Sequence, residues 1–150
     1  MKLVMRYFVF FVSVLFLVPL EAWADIEFRH AWSRATAPGM PMGAVYGHIE
    51  NKGDEDVTLI SIEVDSARMA EVHESIEIDG MMRMREIVPF TIPAGEIVIL
   101  KPAGRHIMLM GLSRALVQGQ SIELSVTFSN GEKVQTSAVI GGFGQMSLPN

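Results

Sequence analysis

Apolar and polar residues alternate along most of the chain beyond residue 24. Residues 121–128 show the pattern most clearly, because Ile122, Leu124 and Val126 fall on one face and polar side chains fall on the other. Period-two alternation of this kind predicts half-buried β-strands. By the same criterion, further strands are predicted at residues 45–50, 57–64, 71–78, 81–87, 96–100, 106–110 and 133–140.

Turn-forming residues separate these segments. Asp79-Gly80 stands between two alternating runs, and an Asp-Gly pair in that position predicts a β-hairpin. Asn130-Gly131 and the Pro-Ala-Gly triplets at residues 93–95 and 102–104 mark further turns. About eight regularly spaced strands, without a convincing amphipathic helix, indicate an all-β domain that is either a β-sandwich or a small barrel.

The first 24 residues have a different character. Two basic residues precede an uncharged run over residues 7–20, and Ala22-Trp23-Ala24 follows. This sequence predicts a secretory signal peptide that is cleaved after Ala24. The alternative is an uncleaved membrane anchor, but a run of 14 residues is shorter than the ~18–20 needed to span a bilayer. Residues 25–150 would then form one exported domain without a membrane-inserted segment, with residues 141–150 as a flexible tail.

Composition restricts the possible functions. The 150 residues carry 12 basic and 17 acidic side chains, and a net charge of −5 disfavours nucleic-acid binding. The chain has no cysteine, which excludes a disulfide, a thiolate nucleophile, a cysteine-bound zinc, a blue-copper centre and a thiol-linked lipid anchor. It has 11 methionines, of which Met1 and Met5 belong to the predicted signal peptide. Nine methionines and all four histidines remain in the exported domain.

One pair of soft metal ligands lies on the predicted hairpin. With a two-residue loop at Asp79-Gly80, Ser75 faces Met84 and His73 faces Glu86. His73 and Met84 are then diagonal neighbours on one face, about 7–8 Å apart at the backbone. Their side chains are long enough to hold one ion between their tips.

A second pair is His106 and Met108, which lie two residues apart on a predicted strand and therefore share a face. Thioether sulfur is a soft ligand that selects Cu(I), and imidazole tolerates the same ion. Neither group forms a disulfide, so such a site suits an oxidising compartment. Strand spacing does not show that the two pairs meet. When each residue is considered alone, a methionine is explained as a core residue that fills a gap, and a histidine as a structural residue held by hydrogen bonds.

The combination resembles the periplasmic copper chaperones called PCu(A)C, which share the pattern His-x10-Met-x21-His-x-Met. Those spacings are met by His73, Met84, His106 and Met108. Once the first histidine is given, composition alone would put the other three residues in place about once in 7,000 sequences. Residues 31–36, the predicted strand that contains Tyr46, and residues 70–74, 93–95 and 101–110 are also similar to the family, so the resemblance covers nearly all of residues 25–140.

The resemblance implies a cupredoxin-like Greek-key β-sandwich or barrel. It implies that the chain binds one Cu(I) ion through the ligands His73, Met84, His106 and Met108. It also implies a non-enzymatic metallochaperone of the bacterial periplasm, which delivers copper to the Cu(A) site in subunit II of cytochrome c oxidase alongside Sco-type thiol proteins. We expect the chain to act as a monomer.

The remaining methionines are open to more than one interpretation. Some relatives carry a His- and Met-rich C-terminal extension that binds Cu(II), whereas the tail of this chain has Met146 and no histidine, so a second site in the tail is not expected. Met40 and Met42 flank a proline in a predicted loop and either assist copper capture or have no metal role. Met110 shares the face of Met108 and either shields copper or packs in the core.

Two histidines and three carboxylates receive structural interpretations. His30 and His48 have no soft partner at strand spacing and are predicted to be structural. Glu71, Glu74 and Glu86 are interpreted as solvated strand charges rather than a catalytic pair.

Three other functions remain open at the level of sequence. One is periplasmic copper buffering or resistance without a dedicated client. Another is a copper enzyme, although two thioethers bias a site towards Cu(I) and no nucleophile–base set accompanies them. The last is a metal-free structural or adhesive β-sandwich in which the methionines and histidines only pack.

Overall fold

The alternating segments form ten β-strands in residues 25–149, the part of the chain that this computed structural model describes. The strands are β1 (Ile26–Arg34), β2 (Met42–Asn51), β3 (Val57–Val64), β4 (Ala67–Ile78), β5 (Met81–Glu86), β6 (Thr91–Ile92), β7 (Ile97–Leu100), β8 (Arg105–Leu112), β9 (Ser121–Phe128) and β10 (Lys133–Gly141). All eight predicted strands are present, so the all-β prediction is confirmed. Residues 25–149 contain no helix, and hence none long and apolar enough to cross a membrane. The predicted signal peptide lies outside the described residues.

The strands form one sheet in the order β5-β4-β8-β2-β1-β10-β9-β3-β6, and β7 pairs with β2 beyond the end of β8. The ladder between β1 and β10 is parallel, and the others are antiparallel. Neighbours in the sheet are often far apart in the chain, as in Greek-key folds. β3 and β4 also contact each other, so the sheet rolls up, although no ladder among the described residues closes it.

The core lies inside the rolled sheet and is built from alternate residues of the strands. Ile107 and Leu109 of β8 and Ile122 of β9 are completely buried. None of the nine methionines in residues 25–149 belongs to this core, because seven are exposed while Met108 and Met110 are half-buried. Branched aliphatic and aromatic side chains fill the interior instead. The explanation of the methionines as gap-filling core residues is therefore wrong.

A β-bulge in β1 explains why the sequence pattern did not predict this strand. Its pairing with β2 shifts register between Arg29 and Trp32, and His30 has a left-handed φ of 55°. Even-numbered residues face the core before the bulge and odd-numbered residues face it afterwards, which breaks the alternation. Gly47 of β2 lies against the bulge, where a Cβ atom would be 2.7 Å from the ring of Phe28. The bulge therefore needs a glycine opposite it.

The segment after β10 returns along β1. Arg34 Nε donates a hydrogen bond to the Gln145 carbonyl at 2.5 Å, and the guanidinium lies 5.9 Å from the centroid of the Tyr46 ring. Met146 and Leu148 line a cleft together with Trp32 and neighbouring residues of β2 and β7. The flexibility predicted for this tail concerns its motion and stays a prediction.

Candidate metal centre

The four predicted ligands lie on one surface of the sheet, the side of β5, β4, β8 and β2 that faces away from the core. We name this surface the outer face. Because Ile107 and Leu109 of β8 point into the core, His106 and Met108 point outward. The register between neighbouring strands decides which other side chains lie beside them.

His73 and His106 are directly opposite each other in the ladder between β4 and β8. Their ring centroids are 6.3 Å apart, and the rings are inclined by 40°. When two imidazole rings each bind one shared ion through a nitrogen at about 2.0 Å, the ring centroids lie at most about 6.4 Å apart. In tetrahedral geometry the ring centroids lie about 5.2 Å apart. If the His73 and His106 ring centroids moved about 1 Å closer together, both rings would bind one tetrahedral ion. The ladder thus brings together the two pairs that strand spacing could not connect.

The two candidate thioethers flank this histidine pair. Met108 lies two residues from His106 on β8 and is half-buried. Met84, on the edge strand β5, lies opposite Ser75, which confirms the pairing predicted from the hairpin. It is diagonal to His73 and 61% exposed. Because Ser75 is small, the side chain of Met84 has room to extend over it towards the imidazoles.

Hydrogen bonds orient both imidazole rings. Nδ1 of His106 is 3.0 Å from the Gly104 carbonyl oxygen, and Nε2 of His73 is 3.1 Å from Oε2 of Glu71. A carbonyl and a carboxylate only accept hydrogen bonds, so the two ring nitrogens are the donors. The opposite nitrogen of each neutral ring, Nε2 of His106 and Nδ1 of His73, then carries a free lone pair. Metal-binding histidines are commonly oriented in this way.

Two aromatic residues, Tyr46 on β2 and Trp32 on β1, extend the line of rings beyond His106. The Tyr46 ring centroid is 6.4 Å from that of His106 and 4.7 Å from that of Trp32. Burial raises the pKa of the Tyr46 hydroxyl, and the nearby Arg34 cation opposes this rise without cancelling it. The sequence showed Trp32 and Tyr46 only as parts of segments similar to the family. Their place beside His106 depends on the β1–β2–β8 ladders.

The carboxylates of the β4–β5 hairpin divide between the two faces of the sheet. Glu71 and Glu86 share the outer face, where Glu71 is partly buried and hydrogen-bonded rather than simply solvated. Glu74 is on the opposite face, with its oxygens 3.1 Å from Arg85 and 3.5 Å from Arg105. The hydrogen bond from Arg85 is the main reason that the pKa of Glu74 is lowered. No three His, Asp or Glu side chains within residues 25–149 are grouped so as to hold a metal ion.

The other candidate residues lie elsewhere. His30 and His48 contact each other, with centroids 5.5 Å apart in an edge-to-face arrangement, and not the histidine pair of β4 and β8. Met40 is an exposed loop residue as predicted, whereas Met42 begins β2 and lies opposite Met110. Met110 is half-buried on the outer face and is not a core residue.

Fold and site together define an all-β domain with two imidazoles and several thioethers on one face. The chain belongs to the LpqE-like family, described as "Putative lipoprotein LpqE-like", which matches residues 26–140. A relative from Leifsonia xyli subsp. xyli (strain CTCB07), "Putative lipoprotein Lxx21020", is 32% identical over 119 residues. These residues are 79% of this chain and 70% of that protein.

Two solved structures have a similar fold. The copper-bound PCuAC domain from PmoF2 superposes with a TM-score of 0.66 at 22% identity, over 79% of this chain and 93% of that domain. The solution structure of CuI-DR1885 from Deinococcus radiodurans gives a TM-score of 0.59 at 27% identity, over 74% of each chain. The resemblance to PCu(A)C proteins is therefore confirmed.

Proposed function

We propose that the protein is a periplasmic metallochaperone that binds one Cu(I) ion through the four ligands His73, Met84, His106 and Met108. The observation that carries the proposal is the direct cross-strand pairing of His73 with His106, with both methionines on the same face. The likeness to the solution structure of CuI-DR1885 supports copper as the ion.

The chemistry of the donors favours Cu(I). Thioether and imidazole are neutral and suit a soft monovalent ion better than calcium or magnesium, which prefer oxygen ligands. Four neutral ligands leave the ion's positive charge uncompensated. Glu71 and Glu86, on the same face, lower the electrostatic cost of holding a cation there.

The gradient of burial across the site suits transfer of the ion. His106 is 5% exposed at the base of the site, whereas Met84 is 61% exposed on an edge strand. A partner that offers thiolates would displace Met84 first and the imidazoles afterwards, because stronger soft ligands replace weaker ones stepwise. We propose Sco-type thiol proteins and the Cu(A)-bearing subunit II of cytochrome c oxidase as the acceptors. Export by the predicted signal peptide would place the protein in their compartment.

The decisive experiment is a Cu(I) titration combined with X-ray absorption, which counts sulfur and nitrogen neighbours together. Met84→Ala and Met108→Ala should each lower the Cu(I) affinity at least about tenfold, because each removes one ligand. Met81→Ala and Met82→Ala are matched controls on the same exposed edge strand, and they should leave the affinity unchanged. Unchanged affinity in the Met84→Ala, Met108→Ala double variant would refute the ligand set.

Delivery and buffering are separated by a deletion strain. Loss of cytochrome c oxidase activity under copper limitation, restored by added copper, would support delivery. Copper sensitivity with normal oxidase activity would instead support a buffering protein without a dedicated client.

Glu71 provides a test of how His73 is oriented. Glu71→Gln should weaken Cu(I) binding by about 10–100-fold, because an amide holds the imidazole N–H less strongly and makes the ring a poorer ligand. Competition with a chromophoric Cu(I) chelator measures this change. Glu74→Gln is the matched control, since Glu74 lies on the opposite face of the same strand. An equal loss in both variants would point to net charge instead of the hydrogen bond.

A further inference from the structure

Three methionines outside the proposed copper site are aligned across the sheet. Met42 of β2 is directly opposite Met110 of β8, and Met110 is directly opposite Met69 of β4. We name these three residues the methionine row. Neighbouring strands are about 4.8 Å apart, so the two outer members are about 10 Å apart at the backbone with Met110 between them.

All members of the methionine row point to the outer face. The residues next to them on their strands turn inward: Leu109 and Ala70 pack in or against the core, and a Cβ atom on Gly43 would lie 3.1 Å from Leu116. Met42 and Met69 are 45% and 50% exposed, and Met110 is half-buried. Exposed thioethers in register contribute little to burial of apolar surface, so folding alone does not account for them.

We propose that the methionine row is a second binding site, which takes a soft monovalent ion such as Cu(I) or Ag(I). Thioether sulfur selects such ions, and three rotatable bonds in each side chain allow the three sulfur atoms to converge above Met110. The row consists of thioethers alone, which suits neither calcium nor magnesium. Its capacity to bind an ion does not depend on which residues form the proposed copper site.

Met108 connects the methionine row to the histidine pair. It lies two residues from Met110 in one direction and two residues from His106 in the other, which is about 7 Å along the strand in each case. Exposure falls in the same order, from Met42 and Met69 through the two half-buried methionines to the buried His106. Where the histidine pair holds copper as in the proposed function, an ion captured on the methionine row moves towards it along β8 by exchange between neighbouring sulfur atoms. The methionine row would be the side from which the ion enters the proposed copper site. Met84 lies on the other side of the histidine pair.

The test is a titration of the purified protein with Ag(I), and with Cu(I) under reducing conditions. Native mass spectrometry counts the bound ions, and carbon-13 NMR follows the methionine ε-methyl groups. We expect a second ion to bind and the methyl resonances of Met42, Met69 and Met110 to shift together with it. The Met42→Leu, Met69→Leu double variant should lose this second ion and keep the first, because leucine retains the apolar shape without sulfur.

A matched control uses two other exposed methionines. Met81→Leu with Met82→Leu changes residues that are 55% and 60% exposed on β5 and should leave both ions bound. If the control loses the second ion as fully as the row variant, exposed methionines bind in general and the proposal is overturned. Binding of a single ion by the unaltered protein, with unshifted methyl resonances of the row, also overturns it.

A third variant separates this proposal from the proposed function. His73→Gln with Met84→Leu should abolish the ion at the histidine pair while one ion, with the shifted methyl resonances of the row, remains. A row variant that keeps both ions but loses association with an acceptor protein would overturn the metal site and assign the row to docking, as methionine-rich surfaces also serve in recognition.

Discussion

Replacement of His106 by phenylalanine is expected to lower the Cu(I) affinity on the order of 100-fold. Structural zinc sites with four ligands bind with about 10–16 kcal/mol. On that scale one ligand contributes roughly 2.5–4 kcal/mol, and each 1.4 kcal/mol is tenfold in affinity. His106 is 5% exposed and anchored to the Gly104 carbonyl, so no neighbouring side chain can simply take its place. Phenylalanine keeps an aromatic ring beside Tyr46.

The measurement is a competition titration with a chromophoric Cu(I) chelator, together with the count of nitrogen neighbours from X-ray absorption. The substitution should cost about 1 kcal/mol of folding stability, because one hydrogen bond is lost. The Gly104 carbonyl still accepts from the Ser75 N–H at 3.2 Å. His48→Phe is the control, since His48 contacts His30 and not the histidine pair. Retention of full affinity by the His106 variant would show that this imidazole is not a ligand.

Leu109→Ala, on the same strand, is expected to lower the free energy of unfolding by about 2–5 kcal/mol. Leu109 is completely buried, and the residues directly opposite it on the two adjacent strands are Ala70 and Gly43. These small residues cannot extend into the cavity that the lost side chain leaves. Because a domain is commonly stable by only about 5–15 kcal/mol, this loss is a large fraction of the total.

Equilibrium unfolding in urea measures the effect, with the copper-free protein used throughout. Met110→Ala is the matched control on the next residue, and it should cost less than about 1 kcal/mol because its side chain lies on the outer face. Similar losses for the two variants would contradict the division of β8 into an inward face that holds the fold and an outward face that contributes little to stability.

In the proposed function, β8 combines core packing with metal binding at a spacing of one residue. Its odd-numbered residues Ile107 and Leu109 are fixed in the core, which holds the even-numbered His106 and Met108 in place on the outer face. Because the backbone of β8 is paired on both sides, by β2 and β4, the imidazole at the base of the site has a rigid support. Met84, on the edge strand β5, is paired on one side and is better suited to exchange.

Much of the fold was predictable because strand periodicity and tight turns are local properties. The two-residue loop at Asp79-Gly80 determines the register of its hairpin, and the observed pairing of Ser75 with Met84 follows from it. β1 was not predicted because its bulge interrupts the alternation, and β6 has only two residues, too few to show a period.

Local residue patterns are enough to predict the all-β class, the hairpin register and the pairs of candidate ligands within single strands, since a period of two is set by the backbone alone. The folded chain adds the pairing of β4 with β8, which places His73 opposite His106 and aligns Met69 with Met110. It also places the methionines outside the core. Which strands become neighbours depends on how all the apolar faces of the chain pack into one core. The order of the strands therefore cannot be read from any local pattern of residues.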